Sequence, residues 1–131
     1  MKSAEDQLRK LLDHHWRKKT LADLRKEAER EFNGTAFETI RADKGPRALL
    51  VICATGQHEI RLVEKALDLQ ADDEPWLNWE SQTVFDLVLH TEMGVGISYQ
   101  DQRDAKGNRC AIVICATRPE NIQMLESLFG L

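Results

Sequence analysis

"RALLVICAT" at residues 47–55 returns as "RCAIVICAT" at residues 109–117 of this chain. The segment that both stretches share, "VICA", is apolar at every position, and its valine and isoleucine favour extended backbone. A short run that is apolar throughout is typical of a strand covered on both faces of a sheet. The two stretches therefore predict two central strands, and their similarity indicates that one structural unit occurs twice.

The similarity continues on both sides of these strands. With an offset of 62, residues 44–67 lie over residues 106–129 without a gap, and 10 of the 24 positions are identical. With an offset of 63, "WRKKTLADL" at 16–24 lies over "WESQTVFDL" at 79–87. We interpret the chain as a single domain with an internal duplication. Its parts are an N-terminal helix (1–15), a first copy (16–67), an acidic linker (68–78) and a second copy (79–131).

Each copy carries local signals for the element order α-β-β-α. Apolar residues at helical spacing follow Thr20 and Thr83, and in both copies an aspartate three residues later completes a capping box. A hairpin comes next, with its turn at Lys44-Gly45 in the first copy and at Lys106-Gly107 in the second. We expect every helix of the two copies to begin after a threonine: Thr20, Thr55, Thr83 and Thr117.

The simplest assembly of the two copies is one four-stranded antiparallel sheet. In this assembly the two "VICA" strands pair at the centre about a pseudo-twofold axis, which predicts the strand order first, second, fourth, third. The helices of both copies pack on the sheet, and the N-terminal helix is an additional element. The predicted fold class is therefore α+β.

Composition and cysteine usage favour a cytoplasmic location. The chain is 42% hydrophobic and 31% charged, as is usual for globular proteins. Its longest apolar run is about seven residues, whereas a membrane span needs roughly 20. The first ten residues lack the apolar stretch of a secretory signal. The three cysteines lie in or beside the apolar strands, so we interpret them as reduced, buried thiols, and we expect no membrane contact.

No motif in the sequence indicates catalysis. There is no His-x₃-His or Cys-x₂-Cys pair for a metal, no phosphate-binding loop and no nucleophile motif. We therefore expect no cofactor, no metal and no catalytic residue. The leading hypothesis is a noncatalytic protein-binding module, such as a regulator, an inhibitor or a small acidic chaperone-type protein. It would use its helical and linker surfaces to bind another protein, with a second copy of the chain, giving a homodimer, as one candidate.

Differences between the copies identify the candidate contact residues. The first copy has 11 basic and 8 acidic residues, and the second has 4 and 7, so the surfaces differ in sign while the cores match. The segment "TVFDLVLHTEM" at 83–93 is apolar on two sides, so the N-terminal helix or a second molecule must cover one of them. Tryptophan is enriched at binding hot spots. The candidates are Trp16, Asp72, Asp73, Glu74, Trp76, Trp79, Phe85 and Leu89.

Two alternatives belong to other classes of function. The first is a nucleic-acid-associated protein that uses the basic stretch 9–30, although acidic residues interrupt this stretch. Its candidate contacts are Arg17, Lys18, Lys19, Arg25 and Lys26. The second alternative is an enzyme with an anion site near residues 55–59. There a strand leads into a helix N-terminus, where Gly56 exposes main-chain amides close to His58.

Overall fold

The structure is a computed structural model that describes residues 19–41, 46–69 and 81–131. In these ranges it has four helices and four strands, and the predicted α+β class with an antiparallel sheet is confirmed. The predicted N-terminal helix and most of the predicted acidic linker lie outside the described residues. The elements are α1 (Leu21–Arg30), β1 (Thr35–Arg41), β2 (Arg47–Ala54), α2 (Gln57–Ala66), α3 (Val84–Met93), β3 (Ile97–Arg103), β4 (Arg109–Ala116) and α4 (Pro119–Phe129).

The sheet has the predicted strand order, β1-β2-β4-β3, and every neighbouring pair is antiparallel. At its centre Ile52 of β2 lies opposite Ile114 of β4. These two isoleucines are equivalent positions of the sequence repeat, so a local twofold axis passes between them. Thr20 and Thr83, which are also equivalent, form an isolated β-bridge on the other side of the molecule. When two halves are related by a twofold axis, equivalent residues meet at that axis, as they do in both of these pairs. Duplication as their origin stays our interpretation.

Helices cover both faces of the sheet. On one face α1 and α3 pack over a cluster that includes Leu24, Val51 and Val113. On the opposite face α2 and α4 pack over a cluster that includes Ile52 and Ile114. Because successive side chains of a strand point to opposite faces, β2 and β4 supply both clusters. This two-sided burial is the physical reason why "VICA" contains no polar residue.

The N-terminal ends of α1 and α3 carry the capping boxes that the sequence predicts. The hydroxyl of Thr20 accepts a hydrogen bond from the main-chain N–H of Asp23 at 3.1 Å, and Thr83 accepts one from Asp86 at 3.0 Å. Each aspartate in turn accepts a hydrogen bond from the N–H of its threonine. Such a cap stabilises a helix by about 1 kcal/mol.

The predicted caps of the other two helices are wrong. The N-cap residues of α2 and α4 are Gly56 and Arg118, one position beyond the threonines, and neither makes a side-chain cap. The hydroxyl of Thr55 instead donates to the carbonyl of Gly34 at 3.0 Å. Gly34 has a φ of 67°, and its carbonyl accepts hydrogen bonds from both the N–H and the hydroxyl of Thr55, so the hydroxyl serves as a donor to the loop before β1 instead of accepting from the first turn of α2.

Candidate interaction surfaces

The outer side of α3 carries an apolar stripe. The residues that α3 buries against the sheet are Val84, Leu87, Val88 and Thr91. Phe85, Leu89 and Met93 follow one another at intervals of four residues, so they line a second side of the helix. Phe85 is half-buried and packs against the edge of the cluster beneath α1 and α3, Leu89 is half-buried, and Met93 is 87% exposed. The structure thus places two candidates from the sequence, Phe85 and Leu89, on one surface with Met93. We call these three residues the α3 stripe.

The equivalent surface of α1 is polar. Its positions matching the α3 stripe are Ala22, Lys26 and Arg30. α1 also buries one side in the core, with Leu21, Leu24 and Ala28 at the positions of Val84, Leu87 and Thr91. Both helices therefore pack one side on the sheet, and they differ in what they present outward. Val95, which follows α3 and is 69% exposed, extends the apolar surface beyond the end of the helix.

Most of the described basic candidates for nucleic-acid binding have acidic partners. Lys19 donates to Glu27 at 2.9 Å and also to Glu38. Burial alone would lower the pKa of Lys19, but these two carboxylates outweigh it and raise the pKa. Arg25 pairs with Glu29 at 2.8 Å and donates to Gln102 of β3. Lys26 is exposed, and Arg17 and Lys18 lie outside the described residues.

A carboxylate of the chain itself lies at the start of α2. A Cβ placed on Gly56 would collide with the carboxylate of Glu59, so this side chain reaches back over the first turn. Negative charge at a helix N-terminus is stabilising, and Glu59 supplies it there. His58 is exposed. The anion site near residues 55–59 therefore stays a prediction to which this geometry adds no support. In the described ranges no cluster of three or more His, Cys, Asp or Glu side chains is suited to a metal ion.

Two ion pairs connect the halves reciprocally. Arg47 of β2 bonds Glu126 of α4, and Arg109 of β4 bonds Glu64 of α2 at 2.7 Å. Each arginine is 62 positions from the other, as is each glutamate. The register shifts by one residue beside both arginines, and this bulge turns their side chains to the face of α2 and α4. The sequence contains a signal for these pairs: the arginine and the glutamate are identical in both copies. Our prediction did not include them.

One of the two ion pairs is extended by a buried aspartate. Asp101 is 1% exposed, and its Oδ2 accepts hydrogen bonds from Arg109 Nε at 2.7 Å and Arg103 Nε at 3.3 Å. Its Oδ1 has no hydrogen-bond partner. Burial alone would lower the pKa of Arg109, but its bonds to Glu64 and Asp101 outweigh burial and raise it. The first half has Thr39 at the position of Asp101, so this charge network is specific to the second half.

Comparison with protein-family models, with curated proteins and with solved structures finds no match to this chain. In the described ranges no helix is long and apolar enough to span a membrane. The three cysteines are all free thiols. The remaining sequence candidates for partner binding, which lie outside the described residues, are Trp16, Asp72, Asp73, Glu74, Trp76 and Trp79.

Proposed function

We propose that this protein is a noncatalytic protein-binding module of the regulator, inhibitor or small chaperone type, and that the α3 stripe is its contact surface. The observation that carries the proposal is the difference between equivalent helices. Where α1 presents Lys26 and Arg30 to solvent, α3 presents Leu89 and Met93. The sheet needs only one side of each helix, so the second apolar side of α3 is left for the N-terminal segment or for a second molecule to cover, and our proposal takes the second molecule.

The exposed apolar residues of this surface would contribute part of the free energy of an interaction. Met93 and Val95 are 87% and 69% exposed, and covering both would contribute roughly 3 kcal/mol from apolar burial. Residues that expose large apolar side chains side by side mark protein contact sites more often than isolated ones do. The proposed partner is another protein, and a second copy of this chain is the first candidate.

A pair of matched double variants tests the proposal. Leu89→Lys with Met93→Arg gives α3 the residues that α1 carries at the equivalent positions. The control, Lys26→Gln with Arg30→Gln, changes the same two positions of α1. If the partner is a second copy, the parent and the control should sediment above the chain mass of 15.0 kDa, and the α3 variant should sediment at that mass. Circular dichroism checks that all three proteins are folded.

A photo-crosslinker placed at position 93, and as a control at position 30, covers partners other than a second copy. We expect protein crosslinks from position 93, and we expect none from position 30. The proposal is wrong if the parent and the α3 variant have the same mass and the two crosslinker positions give the same products.

The two alternatives remain open to direct tests. Nucleic-acid binding through residues 9–30 predicts retention on heparin that falls steeply with salt, because each released counterion contributes to the salt dependence. An anion-dependent enzyme predicts a gain in thermal stability with phosphate that is lost in a Gly56→Ala variant. We also propose a cytoplasmic location. The three cysteines are free thiols, which is the state that a reducing compartment maintains, and this supports the proposal.

A further inference from the structure

The open edge of β1 offers main-chain hydrogen-bonding groups. The carbonyl of Gly34 accepts from the N–H of Thr55 at 2.8 Å, so Gly34 directs its main chain towards β2. Along an antiparallel strand, residues whose main-chain groups point to the neighbouring strand alternate with residues whose groups point away. Because Gly34 points to β2, the N–H and C=O groups of Phe37 and Thr39, three and five residues later, point away from it. In the part of the chain that the structure describes, β1 is an edge of the sheet. Such a row of outward groups is a template for one further strand.

A groove accompanies this edge. The groove surrounds the first residues of β1 and has a volume of about 410 Å³. This volume lies within the roughly 300–1,000 Å³ that ligand pockets usually enclose. Its apolar lining includes Phe37, Ile52 and Phe129, and Phe37 is 44% exposed. Glu27 of α1 and Glu31, the residue that caps its C-terminal end, also line the groove. Glu27 is paired with Lys19, so the exposed Glu31 supplies the negative charge at the rim.

We propose that the β1 edge binds an extended peptide segment of a partner protein, which adds to the sheet as a fifth strand. The outward main-chain groups of Phe37 and Thr39 pair with the peptide backbone. An apolar side chain of the peptide enters the groove beside Phe37 and Phe129, and a lysine or arginine of the peptide faces Glu31. Strand addition of this kind takes its affinity from the main chain and its specificity from pockets for alternate side chains.

The opposite edge of the sheet is built differently, which makes the site specific to β1. At the position of Thr39 the strand β3 carries Asp101, a buried charge that is held by Arg103 and Arg109. An inward-pointing charge on an edge strand is a common protection against pairing with another chain. At the position of Phe37, β3 has the half-buried Tyr99. The two edges of one pseudo-symmetric sheet thus differ in the features that govern strand addition.

Selection from a display library of random peptides, with the full chain as bait, supplies the probe. We expect the selected peptides to alternate apolar and polar residues and to contain lysine or arginine. Binding of a labelled selected peptide is then measured by fluorescence anisotropy. Glu31→Lys should weaken it about tenfold through charge reversal at the rim, and Glu92→Lys, the same charge change on α3, should leave Kd within about twofold.

Thr39→Pro tests the backbone contact. Its main-chain N–H points outward, so proline removes a donor to the peptide and no main-chain donor to β2. Proline also removes the hydrogen bond from the Thr39 hydroxyl to the carbonyl of Leu49 at 2.8 Å, and Thr39→Val, which loses the same bond and keeps the N–H, is the matched control. The proline variant should lose most of the binding while far-ultraviolet circular dichroism stays unchanged. If Thr39→Pro does not fold, amide exchange in the parent protein decides, because peptide binding should slow the exchange of Phe37 and Thr39 and leave that of Tyr99 unchanged.

Three outcomes would overturn the proposal. The selection yields no binding peptide, the selected peptides bind the Glu31→Lys and Glu92→Lys variants equally, or the protein forms a dimer that Thr39→Pro dissociates, in which case a second copy occupies the edge. The α3 double variant should bind the peptide as the parent does, so the peptide site and the α3 contact surface can fail independently.

Discussion

Replacing Arg109 with methionine should destabilise the protein by about 3–5 kcal/mol, which is the usual result of removing one partner of a buried ion pair. Arg109 is 2% exposed in its side chain and bonds both Asp101 and Glu64 at 2.7 Å. Methionine fills a similar volume but donates no hydrogen bond. Of the two arginines that donate to Asp101 Oδ2, the variant keeps only Arg103, at 3.3 Å.

Arg47→Met is the matched control, because Arg47 occupies the equivalent position in the first half. Its partner Glu126 has a side chain that is 27% exposed, so water can solvate the carboxylate when the arginine is gone. No buried aspartate lies nearby, since Thr39 stands in place of Asp101. The Nε of Arg47 is moreover buried without a hydrogen-bond partner, so methionine removes one unsatisfied group. We expect a loss of about 1 kcal/mol or less.

Urea denaturation of the variants measures these differences. Arg109→Met should lower the midpoint several times more than Arg47→Met, with the same dependence on denaturant. Adding Asp101→Thr to Arg109→Met should restore part of the loss, because the combination removes the stranded carboxylate and copies the residue of the first half. Equal losses for Arg109→Met and Arg47→Met, or no restoration in the double variant, would refute the assignment of the buried charge network.

Three further predictions concern burial. Burial raises the pKa of Cys53 and Cys115 to about 12. Both should react with a thiol reagent only after unfolding, whereas the partly exposed Cys110 should react in the folded state, and rapid native labelling of Cys53 would contradict this. Because both folded thiols stay protonated above their ordinary pKa of 9.0, the free energy of unfolding should fall as pH rises from about 9 to about 12, which denaturation at several pH values measures. Phe85→Asp should cost about 2–4 kcal/mol or convert an assembly to monomers, and an unchanged melting temperature together with unchanged sedimentation would exclude both.

The central part of the fold was predictable because its signals are both local and repeated. A strand that is apolar at every position must be covered twice, and two such strands in one small domain can satisfy each other by pairing. This places Ile52 opposite Ile114 and forces β1 and β3 to the edges. The capping boxes at Thr20 and Thr83 were equally readable, since a hydroxyl and a carboxylate three residues apart define the first turn of a helix.

Features that depend on distant residues were not predictable in this way. Thr55 has the sequence context of an N-cap, yet its hydroxyl donates to Gly34, which lies in the connection between α1 and β1, 21 residues earlier in the chain. The pair between Arg109 and Glu64 spans 45 residues and requires a bulge that no local pattern indicates. The groove at β1 arises only where α1, the sheet edge and the end of α4 meet. Such sites exist in the tertiary structure alone.

The comparison of the two halves also separates structural residues from functional ones. Described positions that are identical in both halves include most of the two central strands, the capping boxes of α1 and α3, and the reciprocal ion pairs. Some differing positions are buried and exchange one apolar residue for another, whereas others lie on the outside of the molecule. Leu89 corresponds to Lys26 on the outer side of the helices, and Thr39 corresponds to Asp101 at the sheet edges. A scaffold that only had to fold would gain nothing from an apolar helix face in one half and an unprotected edge in the other. The proposed helix contact and the proposed strand contact share no residue, so each can be removed by substitutions that leave the other intact.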